Sequence, residues 1–233
     1  MRLDKFLCET LGVTRREATI LLRRGEVTVD GQIVKVASIK VGEGSYVEWQ
    51  ERHLPMPGPR YFMLFKPDGF VCSHEDSNNP TAFALLDEVN MDKLHFAGRL
   101  DVDTTGLVLI TDDGQWSHRI TSPKHKCEKT YRVWLEDAIG DDYIQQLQDG
   151  IQLRNEKGLT LPAKMEVVDF SQNELLLTIS EGKYHQVKRM FAALGNKVEQ
   201  LHRESIGMIV LDETLEPGEY RPLTNEEVAA IYT

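Results

Sequence analysis

The stretch from residue 96 to residue 114, FAGRLDVDTTGLVLITDDG, constrains the fold of this 233-residue chain most strongly. Gly98 and Gly106 permit backbone angles that other residues resist. The apolar run 107–111 predicts a buried strand. Asp101 stands just ahead of that strand, where a tight loop beside a rigid element can hold one carboxylate in a fixed pose.

The remainder of the chain alternates between patterns typical of strands and of helices. Residues 164–170 and 174–179 predict a hairpin, residues 184–194 predict an amphipathic helix, and residues 206–211 predict a strand. Asn79 and Pro80 predict the start of a helix over residues 80–86. Predicted strands outnumber helices that could connect parallel strands. We therefore predict an α+β fold with a mainly antiparallel mixed sheet.

The first fifty residues differ from the rest in charge. The chain carries a net charge of −10, but residues 1–50 hold eight basic and seven acidic side chains, a balance of +1. Thr14 and Glu17 form a capping box that begins a helix, and Gly25 is placed to end it. Four basic side chains crowd onto this helix: Arg15, Arg16, Arg23 and Arg24. A hairpin signal, Asp30-Gly31, follows.

Three prolines and a glycine between residues 51 and 59 predict a linker. The expected organisation is therefore a small α/β module at 1–50 and a larger domain at 60–233. No apolar stretch approaches the ~20 residues that a membrane span needs, and the charged start lacks a signal-peptide core. The three cysteines stand far apart in the sequence, without the paired spacing of a zinc site or a disulfide framework, so we expect them to be reduced thiols. We expect a cytoplasmic monomer without a membrane partner.

Taken alone, Asp101 admits several interpretations. An aspartate beside glycines often bonds its own backbone in a turn. The series Asp101, Asp103, Thr105 also copies the start of an EF-hand calcium loop, although the twelfth position is Asp112 where that loop needs a bidentate Glu. The same D-x-D-x-T series matches haloacid-dehalogenase phosphotransferases, but there the buried strand precedes the motif, whereas here it follows.

Several stretches together show a more specific resemblance. Residues 1–48, with MRLDKFL, the RREA helix and V-x-V-D-G, resemble the S4 RNA-binding domain. The 96–114 stretch resembles the central motif of pseudouridine synthases, in the branch whose ribosomal RNA enzymes also carry an S4 domain. Three further stretches resemble that family's other motifs in order: RYFMLFKPDG at 60–69, EKTY at 128–131 and EGKYHQVKRM at 181–190.

The resemblance implies a role for each matching position. Asp101 would be the catalytic carboxylate, Lys188 the cation paired with it, and Tyr131 the ring that packs on uracil. Arg99, Lys129 and Arg189 would bind the substrate, and the four helix arginines would contact RNA phosphates.

The enzymes of this family isomerise uridine to pseudouridine, a reaction that gains and loses no atom. The resemblance therefore implies neither cofactor nor metal. The partner it implies is 16S ribosomal RNA, bare or in an assembling small subunit. A non-enzymatic RNA-binding or assembly factor that keeps this fold is the rival interpretation; such a factor has no need of Asp101, Tyr131 and Lys188 together.

Overall fold

A computed structural model describes residues 1–232 and divides them into two compact units. The first contains residues 1–59 and also residues 87–94, and the second contains residues 60–86 and those from 95 onward. The break at 59/60 agrees with the predicted start of the larger domain. Nothing in the sequence predicted that residues 87–94 join the first unit. They do so partly through the Asn90 side chain, which donates to the Glu9 carbonyl at 3.0 Å.

The first unit packs two helices on a small antiparallel sheet. Its elements are α1 (Leu3–Leu11), α2 (Arg15–Arg24), β1 (Val27–Val29), β2 (Gln32–Ile33), β3 (Val47–Trp49) and β4 (Arg52–Leu54). The strand order is β2-β1-β3-β4. The predicted capping box of Thr14 and Glu17 is confirmed, and Gly25 ends α2 in the left-handed conformation. Ala18 and Leu22 are fully buried and bind α2 to the core of this unit.

The predicted linker at 51–59 is wrong in its first part. Residues Arg52–Leu54 form β4, which pairs with β3, and Leu54 is buried in the core. The two strands are joined by a tight turn in which Gln50 and Glu51 both have positive φ angles. Turns of that kind are normally signalled by Gly or Asn, so this one left no trace in the sequence.

The second unit is built on one large mixed sheet. Its strands are β5 (Tyr61–Lys66), β6 (His95–Phe96), β7 (Thr105–Thr111), β8 (Lys129–Leu135), β9 (Lys164–Asp169), β10 (Glu174–Ile179), β11 (Val198–Ile206), β12 (Ile209–Val210) and β13 (Tyr220–Pro222). Its helices are α3 (Gly114–Thr121), α4 (Tyr143–Asp149), α5 (Gln186–Ala193) and α6 (Asn225–Ala230). The main strand order is β13-β5-β7-β11-β8-β10-β9.

This topology confirms the α+β class and the mainly antiparallel sheet. Strand β7 pairs antiparallel with β5 on one side and parallel with β11 on the other, while the other pairings are antiparallel. The predicted single strand at 206–211 is instead a hairpin, in which β11 turns at Gly207 into β12. The predicted helix over 80–86 is a short 3-10 turn, Ala82–Leu85.

The strand predicted after Asp101 lies in the middle of the core. Leu107 and Leu109 of β7 pack against Trp116 and Ile120 of α3, and all four side chains are fully buried. Full burial of side chains of this size contributes about 1.5–3 kcal/mol each. The loop before β7 is therefore anchored to the most deeply buried strand. Within residues 1–232, no helix is long and apolar enough to cross a membrane.

Candidate active site

The loop that holds Asp101 is fixed at its end by Gly106. This glycine has φ +105°, and its neighbour across the parallel pair is Arg203 of β11. A Cβ added at position 106 would lie 2.3 Å from the Arg203 carbonyl oxygen. Only glycine allows β11 to approach β7 this closely. The sequence indicates that position 106 needs the backbone freedom of glycine, and the close approach of β11 is the contact that requires it.

Lys66, at the end of β5, fixes the same loop through hydrogen bonds to its backbone. Its side chain is fully buried, and its ammonium group donates to the carbonyls of Pro67 at 2.9 Å, Val102 at 3.1 Å and Thr104 at 2.7 Å. Burial lowers the pKa of Lys66, since desolvation penalises its charged form. Three carbonyls that accept from one buried cation hold the Asp101 loop in a single conformation.

Asp101 faces two basic side chains from the start of α5. His185 Nε2 lies 3.3 Å from Asp101 Oδ1, and Lys188 Nζ lies 3.5 Å from Asp101 Oδ2. His185 caps the helix in the left-handed region, with φ +47°. The predicted pairing of Asp101 with Lys188 agrees with this geometry. Lys188 therefore supplies a positive charge beside the Asp101 carboxylate.

Asp103, to which the family resemblance assigns no catalytic role, is also part of this arrangement. Lys188 Nζ lies 2.5 Å from Asp103 Oδ1, closer than it lies to Asp101. Burial, the largest single influence, would raise the pKa of Asp103, but the hydrogen bond from Lys188, the charge of Lys188 and smaller contributions together outweigh it and lower that pKa. Lys188 therefore bridges two carboxylates, and Asp103 orients it.

Tyr131 stands on β8 beside a buried arginine. Its hydroxyl accepts from Arg203 Nη1 at 3.3 Å, and the Arg203 guanidinium carbon lies 5.9 Å from the centroid of its ring. Arg203 is only 2% exposed and also donates to the carbonyl of Leu107 at 2.8 Å and to that of Gly98 at 3.4 Å. One side chain thus connects the Asp101 loop, strand β7 and Tyr131.

A cavity of about 310 Å³ opens between these elements. Five of the six predicted catalytic and substrate-binding residues line it: Arg99, Asp101, Lys129, Tyr131 and Lys188. Its volume is that of a pocket for one small molecule or one nucleotide. The structure therefore brings together side chains from the Asp101 loop, β8 and α5.

Of the three predicted substrate contacts, Lys129 and Arg189 already form hydrogen bonds within the protein. Lys129 lines the cavity, but its ammonium group donates to the carbonyls of Ile120 at 2.9 Å and Cys127 at 2.6 Å, and burial lowers its pKa. Arg189 is not among the cavity-lining residues. It donates to Glu156 Oε1 at 3.1 Å and to the Arg154 carbonyl at 2.7 Å. These contacts fit a structural role for both side chains.

A family model described as RNA pseudouridylate synthase matches residues 60–193, more than half of the chain. The chain belongs to this family. A model of the S4 domain matches residues 1–46, which confirms the S4-like module of the first unit. The chain is thus an RNA pseudouridine synthase, an isomerase, and the calcium-loop and phosphotransferase interpretations of Asp101 are set aside.

Relatives of full length carry the same family name. A protein of Vibrio vulnificus named ribosomal small subunit pseudouridine synthase A is 72% identical over 232 residues, covering 100% of each chain. The protein of that name from Escherichia coli strain K12 is 58% identical, over 99% of this chain and 100% of its own. A solved structure described as a pseudouridylate synthase is 53% identical with a TM-score of 0.71, covering 99% of both chains.

Replacing Lys188 tests its position between the two carboxylates of this pseudouridine synthase. Lys188→Met should slow single-turnover isomerisation about 10- to 100-fold, because Asp101 loses its closest ammonium group. Lys188→Arg keeps the charge and should retain more activity than Lys188→Met. Rates at saturating enzyme separate this effect from RNA binding. Equal rates for Lys188→Met and the wild type would contradict a role in the reaction for the ion pair between Lys188 and Asp101.

Proposed function

We propose that this pseudouridine synthase isomerises a uridine in small-subunit (16S) ribosomal RNA, with Asp101 as its catalytic carboxylate. The observation that carries the proposal is the position of Asp101. It lies on a loop fastened by Lys66, faces His185 and Lys188, and lines a cavity of nucleotide size. The choice of RNA rests on the names of relatives that are 58% and 72% identical over nearly their whole length.

The reaction breaks the bond from ribose C1′ to uracil N1 and forms a bond from C1′ to C5. The hydrogen on C5 leaves, and N1 gains a proton, so atoms balance without a co-reactant. In this proposal the ionised Asp101 attacks the nucleotide, or stabilises the ribosyl species, as the glycosidic bond breaks, and any bond from its carboxylate to the nucleotide breaks again as C5 joins C1′. The contacts with Lys188 and His185 fix the direction of the carboxylate. Tyr131 packs its ring on uracil, and its hydroxyl, held by Arg203, assists proton transfer.

The target uridine reaches this cavity by leaving its stack in the RNA. A base inside a duplex cannot touch a group within a pocket, and extrusion costs a few kcal/mol. Arg99 is exposed at the cavity and stands two residues before Asp101. It is therefore placed to contact a phosphate of the extruded nucleotide or to fill the space that the base vacates.

The S4 module supplies the contacts to structured RNA in this proposal. Arg15, Arg16, Arg23 and Arg24 are all exposed on α2, while Ala18 and Leu22 hold the opposite side of the helix in the core. Exposed guanidinium groups on a rigid helix suit phosphate contacts, which recognise the shape of an RNA rather than its sequence.

Neutralising Arg16 and Arg23 together should weaken RNA binding and make it less dependent on salt. Each lost phosphate contact should reduce the slope of log affinity against log salt by about 0.7–0.9. Filter binding of Arg16→Gln/Arg23→Gln between low and moderate salt measures that slope. Lys197→Gln is the matched control, because Lys197 is already held by Glu136 and Glu199. An unchanged slope in the double variant would contradict the proposed role of α2.

Chemical mapping tests the proposed substrate. Carbodiimide treatment followed by primer extension marks pseudouridine along a whole ribosomal RNA. Small-subunit RNA incubated with the protein, bare and in partly assembled subunits, should show one enzyme-dependent stop, and large-subunit RNA should show none. A stop confined to large-subunit RNA would overturn the proposed substrate and leave the isomerase activity in place.

A further inference from the structure

Thr104 has a buried hydroxyl that the fold does not use. Its side chain is only 1% exposed, it lines the cavity beside Asp101, and its Oγ1 has no hydrogen-bond partner among residues 1–232. Buried polar groups in folded proteins are normally hydrogen-bonded, so an orphaned hydroxyl in a cavity wall needs a reason.

The backbone of Thr104 is held on both sides. Its amide donates to the Asp101 carbonyl at 3.2 Å, and its carbonyl accepts from the buried Lys66 ammonium at 2.7 Å. The next side chain, Thr105, hydrogen-bonds through Oγ1 to His202 Nδ1 at 2.8 Å. The loop therefore cannot turn to give the Thr104 hydroxyl a protein partner without breaking contacts that fix Asp101.

Other buried threonines in the same unit are satisfied by the fold. Thr111 Oγ1, at the end of β7, accepts from the Asp113 amide at 2.9 Å. Thr160 Oγ1 accepts from the Ile151 amide at 2.9 Å. Neither residue lines the cavity. The residue with the orphaned hydroxyl is thus also the one that lines the cavity, three residues after Asp101.

We propose that the Thr104 hydroxyl is a substrate contact that hydrogen-bonds the target nucleotide once it is extruded into the cavity. This inference rests on the proposed function. A hydroxyl both donates and accepts, and the nucleotide offers partners of both kinds, namely the uracil carbonyls and N3–H and the ribose 2′-hydroxyl. The bound nucleotide completes the hydrogen bonding that the free protein leaves open, so part of its binding energy comes from satisfying a buried group.

A hydroxyl that serves the substrate and a hydroxyl that serves the fold respond oppositely to the same substitution. Thr104→Val removes a group without a protein partner, so the thermal midpoint should stay the same or rise. Its kcat/KM for tritium release from RNA labelled at uracil C5 should fall about tenfold. Thr104→Ser keeps the hydroxyl and should retain most of the wild-type rate. Thr111→Val, the matched control, should lower the midpoint and leave the rate unchanged.

The nucleotide itself can be varied in the same assay to assign the contacted atom. If Thr104 contacts the ribose, the penalty of Thr104→Val disappears on RNA with 2′-deoxyuridine at the target position. If it contacts uracil, the penalty persists, and both results support the contact.

Two results would overturn the inference while the wild type is active. One is a wild-type kcat/KM for Thr104→Val. The other is a lowered midpoint together with lost activity in both Thr104→Val and Thr104→Ser, because that pattern marks a structural residue. A wild type that releases no tritium from the same RNA would instead contradict the proposed function, and this inference with it.

Discussion

Asp101→Asn should lower the rate of uridine isomerisation by about a thousandfold or more while RNA affinity stays near that of the wild type. The amide keeps the size and shape of the side chain but has no negative charge. It cannot act as the anionic nucleophile or stabilise a positive ribosyl species, and it no longer forms an ion pair with the Lys188 ammonium group. The loop itself should keep its conformation, because Lys66 and Gly106 fix it independently of Asp101.

Single-turnover rates at saturating enzyme, together with affinity from filter binding, measure this prediction. Asp212→Asn is the matched control, since it removes a carboxylate that pairs with Arg221 and does not line the cavity. The control should isomerise uridine at the wild-type rate. Equal losses in both variants, or a loss explained by weaker RNA binding alone, would contradict a chemical role for Asp101.

Gly106→Ala should destabilise the second unit by about 4 kcal/mol, combining backbone strain with overpacking. The added Cβ would lie 2.3 Å from the Arg203 carbonyl oxygen and 2.7 Å from the Arg203 amide nitrogen. Both are backbone atoms of β11, so no side-chain movement relieves the contact. The residue pairs with Lys66 on its other side, which prevents β7 from shifting away. The φ angle of +105° adds strain for any residue with a Cβ.

Urea unfolding followed by circular dichroism measures this loss. Gly114→Ala is the control, because Gly114 begins α3 with a φ outside the positive range and an added Cβ meets nothing within 4 Å. That variant should be as stable as the wild type or slightly more stable. A midpoint for Gly106→Ala that matches the wild type would show that β11 is free to yield at this position. A variant that never folds agrees with the prediction.

Local sequence signals predicted the parts of the fold that local interactions determine. The capping box at Thr14, the glycine that ends α2 and the buried strand 107–111 appear in the structure because each depends on residues close in sequence. Strand β4 was missed because its turn uses Gln50 and Glu51 in a conformation that their residue types do not indicate.

Some residues of the candidate site could also be predicted from the sequence, and others could not. The pairing of Asp101 and Lys188 was predictable from the family resemblance. Arg203 was not, because its partners are backbone carbonyls and a hydroxyl that lie 72 to 105 positions earlier in the chain, and a residue type does not indicate what its carbonyl will accept. Arg189 follows Lys188 directly, but the next position on a helix points in a different direction. Its side chain therefore pairs with Glu156 and does not line the cavity.

Tritium release from small-subunit ribosomal RNA labelled at uracil C5 tests the central claim most directly. Pseudouridine has the mass of uridine, so loss of the C5 hydrogen reports the reaction itself. The wild-type protein should release tritium from one uridine per RNA, on bare RNA or on partly assembled subunits, and Asp101→Asn should release none in the time that the wild type needs to complete the reaction. If neither protein releases tritium on any form of the RNA while both bind it tightly, the account of this site as a uridine isomerase acting through Asp101 is contradicted.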